Sequence, residues 1–327
     1  MRFLTLRRIA VTGLAALAAA AAAPAVGQAW PTKPVKFVVP FPPGGSVDPL
    51  ARLVGAKLAD ALGQQFIIEN KPGASGSIGT ALVAKSPPDG YTFVVVFDSH
   101  GVNPVLIPNM PFDTVKDLAP VMLVGTAPYA IATATAKPYK TFADVVQAAK
   151  AKPDTVSFGS VGTGTLGHLA MTLIQQSGGY RLIHIPYKGG GPMSADAIGG
   201  QVELAVGSVA VLGQHVRGGK LRAVAVTGEK RSGTMPDVPT LIEQGVPGMT
   251  AYAYWAILAP AGTPKPILEK FHASLVKVLN LPDLNKQLTE QLGMDLVIST
   301  PEALQNWTVG EIARWGKVIK DNGIKAD

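Results

Sequence analysis

A chain of 327 residues with no cysteine and a formal net charge of +7 excludes disulfides, thiol catalysis, thiolate metal sites and a lipid anchor on an N-terminal cysteine. Its charges are scattered, the longest cluster being Glu229-Lys230-Arg231, so the basic stripe with interleaved aromatics that nucleic acid demands is missing. What remains is a weak preference for anions and a size that suits two lobes better than one compact core.

The first segment reads as an export signal. Arg2, Arg7 and Arg8 precede an uninterrupted run of small and apolar residues from Ile9 to Val26, and Gly27-Gln28-Ala29 supplies the small residues a signal peptidase needs. The run approaches membrane-spanning length, but its Ala-rich composition and small-residue exit argue for cleavage after Ala29. The Arg7-Arg8 pair raises a twin-arginine route. The bulkier residues expected after such a pair are mostly absent, which favours general secretion.

Strands and helices then alternate. Strands are expected at Val35–Val39, Phe66–Ile68 and Thr92–Phe97, with Leu50, Leu53, Val54, Leu58 and Leu62 at helical spacing between the first two. A second series begins after Ala130, with a helix near Thr141–Lys150. Strands follow at Val156–Phe158, Leu182–Ile185, Val202–Val206 and Leu221–Val226, and helices fill the gaps with Gly178-Gly179 and Gly218-Gly219 as stops. Two segments look like crossings between lobes: Val121–Thr135, two apolar stretches joined through Gly125-Thr126-Ala127-Pro128, and Ala251–Ala259. The tail returns to helix at Lys265–Leu279, near Asp283–Leu292, and at Pro301–Asp321. The pattern predicts an α/β fold of two lobes, with mixed, mostly parallel sheets flanked by helices. Lobe 1 takes residues 30–127 and 255–327, whose C-terminal helices could bridge the lobes, and lobe 2 takes 128–254.

Three glycine-rich loops fall at strand-to-helix junctions, where α/β folds place ligands. In Pro40-Phe41-Pro42-Pro43-Gly44-Gly45-Ser46-Val47-Asp48 the glycines admit close backbone approach, and the following helix presents unpaired amides. Ser46 or Asp48 is expected to cap that helix, and Asp48 is spaced to pair with Arg52. The second loop runs from Glu69 to Gly79 and opens another helix. The third, Gly162-Thr163-Gly164-Thr165-Leu166-Gly167, formally matches the dinucleotide fingerprint. The next strand lacks the acid that would hold a ribose, so the loop is read as anion-facing rather than as a cofactor site.

Catalytic patterns are poor. His100, His168, His184, His215 and His272 show no metal-ligand spacing. His168 in a first helical turn and His184 in a strand read as structural. No phosphate loop occurs, and the nearest nucleophile elbow, Ser75-Gly76-Ser77-Ile78-Gly79, has serine where its first glycine should be. No metal or other cofactor is expected.

Read in order, several segments resemble the Bug family, periplasmic receptors of tripartite tricarboxylate transporters. They are Pro40–Gly45 with Asp48 and Ala51-Arg52, Glu69–Ala74, Pro88-Asp89-Gly90-Tyr91-Thr92, Gly162-Thr163-Gly164 with His168-Leu169-Ala170, Pro186–Gly190, Pro236–Thr240, Glu243 with Gly245, and Pro260–Pro264. The resemblance implies a type II flytrap with two strands crossing the hinge, closing on a small carboxylate. It implies a grip through backbone amides and ordered waters, with no arginine in the three loops. Family ligands range over amino acids, di- and tricarboxylates and aromatic acids. It further implies a monomeric, periplasmic, non-catalytic protein that delivers its ligand to integral membrane subunits. The expected cleft residues are Phe41, Gly44, Gly45, Ser46, Ala74, Ser75 and Ser99 from lobe 1, and Thr163, Gly164, Thr165, Tyr187 and Ser208 from lobe 2. Phe41 could instead be floor packing, Tyr187 a rim residue, Ser208 merely a helix start, and Trp255 hinge core. The rival readings are a two-lobed enzyme acting on a small anion and a receptor that docks to a signalling sensor.

Overall fold

The computed structural model describes residues 30–246 and 248–325, so the export signal and the cleavage expected after Ala29 lie outside the described residues. Trp30 to Thr32 group with the N-terminal unit, and every element named below belongs to the second unit, Lys33–Asp327.

The valine-rich run Val35–Val39 forms β1, and β2 (Phe66–Asn70) and β3 (Thr92–Val96) pair with it in parallel on either side. Parallel neighbours need crossover connections, here the helices α1 (Val47–Leu62) and α2 (Ser77–Ala84). Gly63 ends α1 in the left-handed conformation at φ 69°, the usual glycine stop. Phe37, Phe66 and Phe93 of the strands meet Phe271 of α8 (Lys265–Leu279), with the Phe93 and Phe271 ring centroids 4.1 Å apart. This aromatic cluster anchors the first half of the molecule, and truncating a ring such as Phe271 to alanine would cost about 3–5 kcal/mol.

β3 leads into α3 (Ser99–Leu106) and then β4 (Leu118–Ala134), one continuous strand of 17 residues rather than the two joined stretches expected from sequence. With β9 (Tyr252–Pro260) it pairs antiparallel from Leu118↔Pro260 to Pro128↔Tyr252, absorbing irregularity in register shifts at Pro120/Met122 and Leu123/Gly125. From Tyr129 onward β4 changes partners, to β7 (Leu204–Ser208) and β8 (Leu221–Val226). Pro128 stands at the changeover, where its missing N–H costs the ladder least.

Beyond it, β5 (Ser157–Ser160) pairs in parallel with β6 (Ile183–Pro186) and β7. The helices of this half are α4 (Phe142–Ala151), α5 (Leu166–Gly178), α6 (Gly190–Ile198) and α7 (Val209–Arg217). Thr141 and Asp144 start α4 with a reciprocal capping box. Phe142, Phe158, Met171, Met193 and Leu212 are all buried in this half. The strand order is β2-β1-β3-β9-β4-β7-β5-β6, so parallel pairing holds at both ends and antiparallel pairing at the centre.

In the tail, the helix expected near Asp283–Leu292 is split into α9 (Pro282–Lys286) and a π-helical turn, Gln287–Gln291. β10 (Asp295–Leu296), unforeseen from sequence, pairs with β4. The last helix, α10 (Pro301–Asp321), packs along α3 and β4 and reaches α5, where Gln176 Nε2 donates to Asn322 Oδ1 at 2.5 Å. The result is a two-lobed α/β fold whose curled sheet runs through β4 and β9.

Candidate functional site

Because β1 and β2 are neighbours, the loops that follow them lie side by side at the carboxyl ends of the strands. The first, residues 40–46, is organised around the buried carboxylate of Asp48. It accepts from Arg52 Nε at 3.0 Å and Nη2 at 2.9 Å, from Asn70 Nδ2 at 2.9 Å, and from the Gly44 amide. Burial pushes this carboxyl up, but the hydrogen bonds outweigh it and hold the group below its usual range. Asn70 Nδ2 also donates to Phe41 O at 3.1 Å, tying the loop to the end of β2.

The expected Asp48–Arg52 pair therefore exists, but the expected side-chain cap does not. Ser46 occupies the N-cap position and makes no capping bond; its hydroxyl accepts from Trp255 Nε1 at 3.2 Å instead. The first-turn amides of α1 are left without a side-chain partner. A Cβ added to exposed Gly45 would meet only Pro42 O, at 3.9 Å.

The second loop holds four successive residues at positive φ: Gly73 at 133°, Ala74 at 43°, Ser75 at 52° and Gly76 at 89°. Each non-glycine residue there costs on the order of 1 kcal/mol or more. The strain is held by α3, since Ser75 O accepts from Ser99 Oγ at 2.8 Å and Asn103 Nδ2 at 2.9 Å. Phe41 lies over Gly76, where a Cβ would come within 3.0 Å of its ring, so the two loops stack.

Phe41, Ser75 and Ser99 line one cavity of about 10 Å³ together with His100 and Asn103. Phe41 packs edge-on against Phe97, which packs on Trp255, so the aromatic ring is part of the floor. His100 Nε2 and Asn103 Oδ1 are buried without a hydrogen-bond partner, and burial alone lowers His100 to about 4, so its ring is neutral. Sequence reading missed both residues. The run Phe97-Asp98-Ser99-His100 at a strand end was the available signal, masked because Pro104 lies inside the short helix that follows.

Thr163, Gly164 and Thr165 stand between β5 and α5, as expected. Thr165 is the N-cap of α5, yet its hydroxyl donates to Gly162 O at 2.7 Å and so stays within the loop. Gly164 faces Leu106 at the end of α3: an added Cβ would stand 2.3 Å from Leu106 Cδ2. The Tyr187 hydroxyl donates to Asp196 Oδ2 at 2.9 Å, and burial together with this carboxylate pushes the phenol up to about 12. Ser208 is buried at the start of α7 and its hydroxyl has no partner. Its β-partner Tyr129 donates to Asp98 Oδ2 at 2.5 Å, immediately before Ser99.

The structure thus gathers Phe41, Gly44, Gly45, Ser46, Ala74, Ser75 and Ser99 at one end of the first half-sheet. The 163–165 loop meets that half through Gly164 and Leu106, and Ser208 approaches it through Tyr129, whereas the Tyr187 hydroxyl is committed to Asp196. Burial pushes Asp98 up to about 7 against the opposing Tyr129 hydrogen bond, with the Glu311 charge adding to the rise. Among the described residues no group of three or more His, Asp or Glu side chains is placed to hold a metal ion.

Comparison with known proteins identifies the architecture. Protein BugT of Bordetella pertussis is 35% identical over 321 residues, covering 98% of both chains. Among solved structures, the periplasmic binding protein BugD superposes with a TM-score of 0.82 at 33% identity, over 91% of this chain and 100% of that one. R. palustris Rpa4515 with adipate gives 0.84 at 33%, over 90% and 99%. MatC from Rhodopseudomonas palustris with bound malate gives 0.80 at 31%, over 89% and 100%. Residues 50–324 match the model of the tripartite tricarboxylate transporter family receptor, so a chain with these loops on this two-lobed frame belongs to that receptor family.

Proposed function

We propose that the protein is a periplasmic receptor that takes a small organic carboxylate between its lobes and presents it to the membrane subunits of a tripartite transporter. The observation that carries this reading is the pair of stacked loops in the first half. They offer helix-start and turn amides, while the nearby cations are already engaged: Arg52 with Asp48 and Asn70, and Lys71 with Glu69. Amides at a helix start suit an anion without a fixed counter-charge. The adipate and malate held by two family members support the ligand class.

In this reading residues 1–29 are an export signal removed after Ala29, and the mature protein acts as a monomer and catalyses nothing. The lobes comprise 30–127 with 255–327, and 128–254, a division supported by the change of partners in β4 after Pro128. The cavity between the first-half loops has room for about one water, far less than a dicarboxylate needs, so the ligand sits on the outer face of these loops, between the lobes, rather than in that cavity.

A thermal-shift panel tests the ligand class. Adipate, malate or a related acid at a hundredfold excess over its Kd should stabilise the protein by about 2.7 kcal/mol. Stabilisation by sugars or cationic amino acids with none by carboxylates would overturn the proposal. Mass spectrometry of what denaturation releases from the purified protein would then name the ligand.

A further inference from the structure

The 162–165 loop turns its polar groups inward. Gly162 O accepts from Thr165 Oγ1 at 2.7 Å, from Ser160 Oγ at 2.9 Å and from the Thr165 amide at 3.3 Å. The next amide, that of Gly164, donates to His168 Nδ1 at 3.0 Å. His168 is the third residue of α5, and its ring reaches back past the N-cap Thr165 to the amide before it, one position beyond the amide that the acid of a capping box accepts. An Nδ1 that accepts carries no proton, which places the proton of a neutral ring on Nε2.

Neutrality has a use here. The start of α5 carries partial positive charge, and the His184 ring is stacked on His168 with centroids 3.8 Å apart and planes 6° apart. A cationic ring is therefore unfavourable at this position, beside the helix start. A carboxylate could accept the same amide, but it would set a negative charge beside a loop that has to receive an anion. Gly164 itself, at φ 72°, is the residue through which this loop touches Leu106 across the cleft.

We infer that His168 is a positioning residue for ligand capture. It is an uncharged acceptor that fixes the 162–165 loop in the shape at which Gly164 seats against α3, without repelling an anionic ligand. The inference rests on the carboxylate-receptor reading for its ligand and on the geometry alone for its structural half.

The two halves are tested separately. In ¹⁵N-labelled protein without ligand, the Gly164 amide should exchange slowly and the imidazole spectrum should show His168 protonated on Nε2. His168→Asn keeps an acceptor and should retain the protection, whereas His168→Leu should raise Gly164 exchange at least tenfold. Calorimetry with adipate as probe should then show His168→Leu weakened about tenfold and His168→Asn within about threefold of the parent. His168→Asp, which accepts but is charged, should bind adipate more weakly than His168→Asn. Rescue by asparagine separates positioning from misfolding of the leucine variant. A fast-exchanging Gly164 in the parent, or equal adipate affinity for His168→Leu and parent, overturns the inference. If adipate and malate bind neither parent nor variants, the carboxylate reading fails and the exchange data alone decide the role of His168.

Discussion

The loops of the first half and the loop of the second half are built on opposite plans. Those after β1 and β2 are locked by long-range side chains: Asp48, Arg52 and Asn70 bind one loop to its neighbouring strand, and Ser99 with Asn103 pins the other in a left-handed run. The 162–165 loop takes its hydrogen bonds from its own β5–α5 surroundings, from Ser160, Thr165 and His168, and meets the first half through the packing of Gly164 on Leu106. A rigid receiver and a self-contained jaw are what a hinge-closing receptor needs. In the proposed reading the first half would receive a ligand before closure, and the second would move with its loop shape kept.

The sharpest way to break this comparison is at the joint, where Tyr129 of the second half donates to Asp98 of the first. The folded-state pKa of Asp98 is about 7, above its unfolded value of 3.8. Below pH 3.8 both states hold the proton and the stability from this group is fully present. It is then lost as pH rises toward 7, because only the unfolded state releases the proton, at a rate on the order of 1 kcal/mol per pH unit. Asp98→Asn keeps an acceptor for Tyr129 and does not titrate. Urea unfolding should show the variant gaining on the parent from pH 4 to 7 and levelling off above. Parallel profiles would show that the joint carries no such proton.

The first half is probed by one substitution at its loop tip and one at the carboxylate that supports it. Gly45→Val places a side chain in open space at the loop tip, so the fold should survive while carboxylate affinity falls a hundredfold or more, about 2.7 kcal/mol. Unchanged affinity by calorimetry would remove this loop from the site. Asp48→Ala strips acceptors from Asn70 and the Gly44 amide and should cost about 2 kcal/mol of stability, with Arg52 contributing little because it is half exposed. A change in unfolding free energy by chemical denaturation of less than a few tenths of a kcal/mol would mean the network is decorative.

The jaw should respond least. Thr165→Ala removes a hydroxyl that closes the loop on Gly162 O, worth about 0.5–1.5 kcal/mol, so binding should weaken several-fold to about tenfold through loop order rather than a lost ligand contact. Small-angle scattering checks the motion itself. Saturating ligand should shrink the radius of gyration of a protein first shown to be open, and an unchanged radius would leave the comparison without a hinge.

Much of this was legible along the chain. The elements Val35–Val39, Leu221–Val226, Lys265–Leu279 and Pro301–Asp321 stand at the residues expected, because each carries its own periodicity or caps. The continuity of β4 was hidden by Gly125 and Pro128, which end most strands taken alone. Here two bulges and a change of partners accommodate them. The α3 segment was hidden by Pro104, and with it His100 and Asn103. For Thr165 and Ser46 the residue was found but its bond was not: one hydroxyl turns to a carbonyl three residues back, the other receives a tryptophan from a strand far along the chain.

The sequence by itself determined the α/β class, the glycine loops at strand ends, the Asp48–Arg52 pair and the family likeness, since all of these depend on local spacing and on residue types that act within a few positions. Only the tertiary structure decided that Ser99 and Asn103 hold Ser75, that Tyr129 joins Asp98, and that Gly164 meets Leu106. Those contacts join residues 24 or more positions apart. Their partners are chosen by strand order and by which ends of β1, β2, β3 and β5 the sheet brings together, information that no local pattern carries.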